Sequence, residues 1–325
     1  MSVTYIVFRQ ICVMALLIFL GWTLAHKGTV NKVGNGQLSG ILTNIITPCV
    51  IINAFVTLEA STDSLLRLVQ ALAVFGAVFL LSILFSLVLF RKQGPHTATN
   101  RAATVFANTG FFGIPLLQAL FGEIGVFYAS IAVLYNNLLI WTWGMTLFSH
   151  GQKVKAKTVL GQPAALAAMV GIVIFLLRLW PVSATLGAFE WFDDVSYPFL
   201  TMLKSVKELN TPIAMFVLGV NVYNANWKFD RSLLSAIPFI LRRQFLIPTA
   251  VLLLTMWLPL DRTMLFSLFV EMACPIATMV SVMTLRYNAP QEEQERSTRI
   301  VVLSTLSALA TVPLMVAFGS WLMPL

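Results

Sequence analysis

The chain has 325 residues, 58% of them hydrophobic and only 10% charged, with a formal net charge of +8 and a mean hydropathy of +0.85. A soluble domain carries about 25% charged residues, so the polar shell of a soluble protein is missing and the sequence reads as an all-α integral membrane protein in contact with the lipid bilayer. The cations stand in short blocks between apolar runs, a pattern of loops on one membrane face, and this excludes nucleic acid as the partner behind the basic charge.

A membrane-crossing helix needs roughly 20 apolar residues. Ten such stretches are expected, at about 5–26, 37–58, 65–90, 101–121, 123–149, 160–180, 198–222, 232–258, 263–286 and 298–323. None shows the alternation of a barrel strand. The first approaches the membrane with Arg9 as its only cation, and no small-residue cleavage site follows, so it is expected to be retained. The connections are short, the longest being residues 181–197 with Glu190, Asp193 and Asp194. Cys12, Cys49 and Cys274 fall in apolar stretches, and their spacing suggests neither a disulfide framework nor a metal site. No cofactor is expected.

The loops after spans 1, 3, 5, 7 and 9 carry Lys27, Lys32, Arg91, Lys92, Arg101, Lys153, Lys155, Lys157, Lys228, Arg231, Arg286, Arg296 and Arg299. The opposite loops carry Arg9, Arg67, Arg178 and Arg262. By the positive-inside rule both termini are expected outside the cytoplasm, in the cell (inner) membrane of a multi-pass protein.

Several spans carry polar or helix-breaking residues. Span 2 contains Asn44, Thr47-Pro48 and Asn53. Span 4 is interrupted at Asn108-Thr-Gly-Phe-Phe-Gly-Ile-Pro115, and span 5 holds Asn136 and Asn137. Span 7 contains Thr211-Pro212, preceded by Lys204, Lys207 and Glu208, and span 8 carries Arg242 and Arg243 near its middle. Span 9 carries Glu271 one turn before Cys274-Pro275. Proline removes a backbone donor, and backbone groups freed within the bilayer must face protein or a cavity.

Thr-Pro recurs in the second span of each half, the breaks in spans 4 and 9 correspond, and spans 3 and 8 both open with Ser-Leu-Leu at Ser64 and Ser232. This order predicts a 5+5 inverted repeat, residues 1–150 and 151–325, within one membrane domain, with a midplane site at the paired breaks. The half-helix starts after the breaks suit an anion.

Glu271 is expected to form an ion pair with Arg243 or Arg242. The sharper alternatives make it a proton acceptor in a desolvated setting or give an arginine to a substrate carboxylate. The lysines of span 7 are expected to snorkel at a helix end near water, and the buried asparagines, Asn136 excepted, to bond between helices. His26, His96 and His150 fall at the cytoplasmic side.

The run Asn108-Thr-Gly-Phe-Phe-Gly-Ile-Pro-Leu-Leu117 resembles the fourth span of the auxin efflux carrier family, which includes plant PIN carriers and bacterial permeases. Glu271-Met-Ala-Cys-Pro-Ile-Ala277 with Leu285-Arg-Tyr287 is similar to its ninth span, Ser304-Thr305 through Pro313 to its tenth, and Pro212 through Gly219 to its seventh. The resemblance implies ten helices, with helices 4 and 9 crossing at their broken centres. It also implies a scaffold of helices 1, 2, 6 and 7 and an elevator-like transport part of helices 3–5 and 8–10.

By that match Asn108, Pro115 and Pro275 lie at the crossover where substrate binds. With Thr109, Gly110, Gly113, Ile114, Cys274, Ile276 and Ala277 from the two breaks, and Asn136, they form the candidate substrate site. Thr47, Pro48, Thr211 and Pro212 stand on its scaffold side. The short stretch at residues 149–160 is similar to bacterial permeases of malate or malonate rather than to carriers of auxin. A coupled proton or sodium ion and a homodimer are both compatible with the resemblance.

No phosphate-binding loop, His–Glu metal motif or Ser/His/Asp set is present, so ATP-driven transport and membrane-embedded catalysis are not expected. The leading expectation is a secondary carrier of a small organic anion. The alternative is a carrier-fold sensor or receptor that binds a carboxylate without flux, and a channel is distinguished by the absence of saturation.

Overall fold

A computed structural model describes residues 2–92, 94, 96–149, 159, 161–179, 188–225 and 231–324. Its helices are α1 (Val3–His26), α2 (Lys32–Thr57), α3 (Thr62–Leu89), α4 (Thr97–Val105), α5 (Thr109–Phe148) and α6 (Pro163–Leu179). They continue with α7 (Ala188–Glu208), α8 (Asn210–Asn224), α9 (Arg231–Thr255), α10 (Arg262–Ala273), α11 (Thr278–Arg286) and α12 (Gln291–Leu322). Among the described residues no strand forms, and one isolated antiparallel bridge joins Ala107 to Ile276.

The helix starts follow side-chain capping. Ser2, Asn31, Ser61 and Asp261 accept from the backbone N–H groups of Tyr5, Gly34, Ser64 and Met264 and so begin α1, α2, α3 and α10. A π-helical turn at Leu42–Ile46 precedes Thr47-Pro48 inside α2. Such a turn is one of the ways a bilayer helix accommodates the donor that proline lacks. Gly122 divides α5 with φ +59 and ψ −137, a backbone state cheap only for glycine. The chain therefore turns between the expected spans 4 and 5.

Six helical stretches are long and apolar enough to cross a membrane: α1, α2, α3, α5, α12 and Ala236–Thr255 of α9. The outward faces carry Phe8, Leu16 and Phe19 on α1, Leu80, Leu84 and Val88 on α3, and Leu314 and Trp321 on α12, all exposed as lipid contact requires. Two expectations need correction. Residues 188–197, read as connection, are already helical in α7. Span 7, expected as one stretch at about 198–222, is divided by a turn at Leu209, and α8 runs unbroken through Thr211-Pro212. The basic loop at residues 153–157, His150, Lys228 and residues 181–187 lie outside the described residues.

α1 packs on α8, and α2 on α6. Both contacts use glycine to bring helices close, as membrane packing favours. A β-carbon on Gly219 would meet Trp22 N at 2.7 Å, one on Gly21 would meet Phe216 Cα at 2.7 Å, and one on Gly171 would meet Phe55 Cδ2 at 2.6 Å. On the other side of the molecule α9 packs against α10 and α12, and α10 against α5.

Candidate functional site

Two helices break at one place. α4 ends at Val105 and α5 begins at Thr109, while α10 ends at Ala273 and α11 begins at Thr278. The two gaps cross as short extended segments. Asn108 N donates to the Pro275 carbonyl at 2.7 Å, and Ala277 N to the Phe106 carbonyl at 3.0 Å. Ile276 N donates to Ser304 Oγ at 3.0 Å, and Asn108 O accepts from Phe112 N and Gly113 N. Each break thus supplies partners for the other, which removes the main penalty for irregular backbone in a bilayer.

Arg243 completes this accounting. Its Nη1 donates to the Met272 and Cys274 carbonyls at 2.7 and 2.8 Å, and its Nε to the Ala103 carbonyl at 3.3 Å. Carbonyls orphaned at the ends of α4 and α10 are therefore held by one buried guanidinium. This corrects the expected ion pair. Glu271 is fully buried, and neither carboxyl oxygen has a hydrogen-bond partner among the described residues. Arg242 is exposed and lines, with Arg243, an apolar cleft between α3 and α9. Similar depth in two spans does not make two charges face one another, and the strongest acceptors within reach of Arg243 are the freed carbonyls.

On one side of the crossover lies a cavity of about 110 Å³. Polar side chains from three helices and the α6 approach line it: Thr43 and Thr47 of α2, Thr109, Asn136 and Asn137 of α5, Gln162 before α6 and Thr278 of α11, together with Asn108 at the crossover. Gly110, Phe111, Val133, Ile140, Trp141, Ala164, Ala107, Ala277 and Met279 complete the wall. No ionisable side chain is among these lining residues. A cation reaches the rim through Arg286, whose guanidinium lies 4.9 Å from the Trp141 ring centroid. The volume is well below the about 300–1,000 Å³ of clefts for drug-sized ligands.

The polar atoms of this wall are unusual for buried groups. Asn108, 5% exposed, has its Nδ2 without a partner, as do Thr47 Oγ1, Thr109 Oγ1 and Asn136 Oδ1. Buried polar groups are normally paired. The first N–H groups of α5 and α11 border the same cavity, and helix starts have no intrahelical partner for these donors and carry partial positive charge.

The structure therefore brings Thr47, Asn108, Thr109, Gly110, Asn136 and Ala277 to one cavity. Gly113, Ile114, Cys274 and Ile276 are buried within the crossing, and Pro115 and Pro275 shape it. Pro48, Thr211 and Pro212 do not line the cavity. Thr43, Gln162 and Thr278 are additional lining residues. Thr43 stands one turn before Thr47, and Thr278 follows the second break as Thr109 follows the first, so both had a sequence signal, while Gln162 had none. Asn44, expected to be buried, is exposed and bonds back to the Gly40 carbonyl.

Beyond the crossover a second polar group joins α2, α5 and α7. Lys207, 9% exposed, forms an ion pair with Glu123. Asn53 Nδ2 and Thr57 Oγ1 donate to the other Glu123 oxygen at 3.3 and 3.5 Å. Lys207 therefore does not snorkel to water as its place in the sequence suggests. Asn210, one turn further on, is 2% exposed with both amide atoms unpartnered.

The family model described as "Membrane transport protein" matches residues 6–162 and 151–316. No curated protein matches the chain.

Proposed function

Because the chain belongs to the membrane transport protein family, we propose that this transporter is a secondary carrier of a small organic anion, a carboxylate such as malate or malonate. One observation carries the anion reading. Two helix starts and the unpartnered Nδ2 of Asn108 converge on a small cavity whose lining residues include no ionisable side chain. Aligned amide donors can receive an anion without a buried cation of permanent cost.

Alternating access is the mechanism that fits this geometry. The cavity lies between the crossover and the basic end of the bundle, the cytoplasmic face by the positive-inside rule. The opposite side is fastened by Lys207 and Glu123. An inverted repeat relates the two sides: the α1–α8 and α2–α6 contacts exchange under it, each with a glycine at the crossing. Thr47 lines the present cavity, and its counterpart, Thr211 beside Asn210, stands on the fastened side. Helices α1, α2, α6, α7 and α8 then form the scaffold, and the remainder moves.

The test uses purified protein in a thermal-shift screen against malonate, malate, a neutral sugar and an organic cation, followed by uptake into proteoliposomes. A carboxylate should raise the melting temperature, since a ligand bound to the native state stabilises it, and should enter with saturation. Stabilisation by the sugar or the cation alone defeats the anion reading. Tight carboxylate binding with no flux points to a sensor instead.

A further inference from the structure

Glu271 lies outside the cavity wall, yet it is built into the same crossover. A β-carbon on Gly113 would lie 2.6 Å from Glu271 Cδ, so the carboxyl fills the space that any other residue at 113 would need. Among the described residues no ionisable group forms a hydrogen bond or ion pair with it. From α9, Arg243 gives its Nη1 and Nε to backbone carbonyls and forms no ion pair with Glu271, its Nη2 having no partner, and Arg242 is exposed. From α5, Glu123 pairs with Lys207, Tyr135 donates to the Leu72 carbonyl and Tyr128 is buried. Beside it the Cys274 thiol donates to the Val270 carbonyl, and α12 has no ionisable residue between Arg299 and its end at Leu322.

An ionised carboxylate in this seat would have neither a hydrogen-bond donor nor an ion-pair partner among the described residues, a far costlier state than the neutral acid. The seat also has a front. The turn Thr109–Gly113 presents Thr109 and Gly110 to the cavity at its start and receives Glu271 against Gly113 at its end. A negative charge at 271 would stand one turn behind the amides that meet an anion and oppose its binding through a low-dielectric interior. A protonated carboxyl would not.

We propose that Glu271 is a proton-binding site and that its proton travels with the substrate anion, each favouring the binding of the other. The proton site rests on the geometry of the seat, and the coupling rests on the carrier reading above. A proton asks for one oxygen, whereas a hard metal cation asks for several at once, which favours the proton over sodium here. By linkage, anion binding must then take up a proton.

Infrared spectra of the detergent-purified protein test the proton site without a substrate. At neutral pH the wild type should show the carbonyl stretch of a protonated carboxyl, lost in Glu271→Gln and displaced in Glu271→Asp. A wild-type spectrum without that band, or a band that neither variant moves, overturns the site, and the first of these outcomes needs no variant to fold. Coupling is read from malonate affinity against pH above neutrality. Wild-type affinity should weaken by up to about tenfold per pH unit once Glu271 ionises, while Glu271→Gln binds equally at every pH. Wild-type binding that ignores pH, or follows sodium instead, overturns the coupling. No malonate binding at any pH defeats the anion reading and the coupling with it, and the infrared band still decides the proton site.

Discussion

Asn108 donates its backbone N–H to the Pro275 carbonyl at 2.7 Å, so the two broken helices meet through their main chains rather than through side chains. The main-chain contact leaves the Asn108 side chain free to face the cavity, where its Nδ2 has no protein partner. One residue thus closes the crossing with its backbone and offers a donor with its amide.

Asn108→Ala should therefore fold, because the crossing bond belongs to the backbone. It should bind malonate more weakly by about 1–3 kcal/mol, the cost of an unmet hydrogen bond at a buried polar ligand. Melting temperature and ligand affinity measured on the same preparation check this. Unchanged affinity removes Asn108 from the site.

Gly113→Ala should destabilise the protein by about 1–3 kcal/mol, as overpacking of a filled interior does, since its new carbon meets the Glu271 carboxyl. Shortening the partner makes room: the double variant Gly113→Ala with Glu271→Ala should lose less stability than the two single losses summed. Residues in direct contact couple in this way. Strictly additive losses would show that Gly113 and Glu271 do not touch.

The position of the crossover was legible because broken helices are written in residue chemistry: Pro275 lacks the backbone donor that a bilayer helix would pair, and Gly110 and Gly113 add little side-chain bulk. The expected boundary between spans 4 and 5, at residues 121 and 123, coincides with the turn at Gly122. The partners of the buried charges were not. Arg243 faces Met272 and Cys274 carbonyls that exist as acceptors only because the helix ends there, and a carbonyl leaves no mark in the residue alphabet. Lys207 finds Glu123 across 84 positions, a pairing that hydropathy along one helix cannot express. The expected partnership of Glu271 with Arg243 failed on direction, since depth in the membrane fixes height but not the face of the helix.

Arg243→Met should be among the more damaging single changes. It leaves the Ala103, Met272 and Cys274 carbonyls without a donor in a place water does not readily reach, at about 1–3 kcal/mol for each group left unmet. Glu271→Gln should be mild by comparison, because no arginine depends on that carboxyl. Thermal melts of both variants distinguish this from an ion pair, in which each loss would be similar and the double neutralisation would recover stability.

Lys207 and Glu123 give the last prediction. Their ion pair links α7 to the first turn of α5 beyond Gly122, and Asn53 and Thr57 of α2 hold the same carboxylate. If α2 and α7 belong to a static scaffold and α5 to a moving part, this contact must break whenever the cavity opens on that side. Glu123 is about half exposed, so the pair contributes only about 0.2–1 kcal/mol. A latch of that strength biases two states without locking either, and removing it should shift their ratio by up to about fivefold. Asn210 lies one turn beyond Lys207, buried and with its amide unpartnered, so it reports opening on that side. In an Asn210→Cys protein with Cys12 and Cys49 replaced by alanine, labelling by a membrane-impermeant maleimide should be slow. Adding Lys207→Met should speed it by up to that factor, and saturating malonate should change the rate again as the populations respond to ligand. Equal labelling with and without Lys207→Met would mean that the pair fastens nothing, and the fastened side of the molecule would have to be held by apolar packing alone.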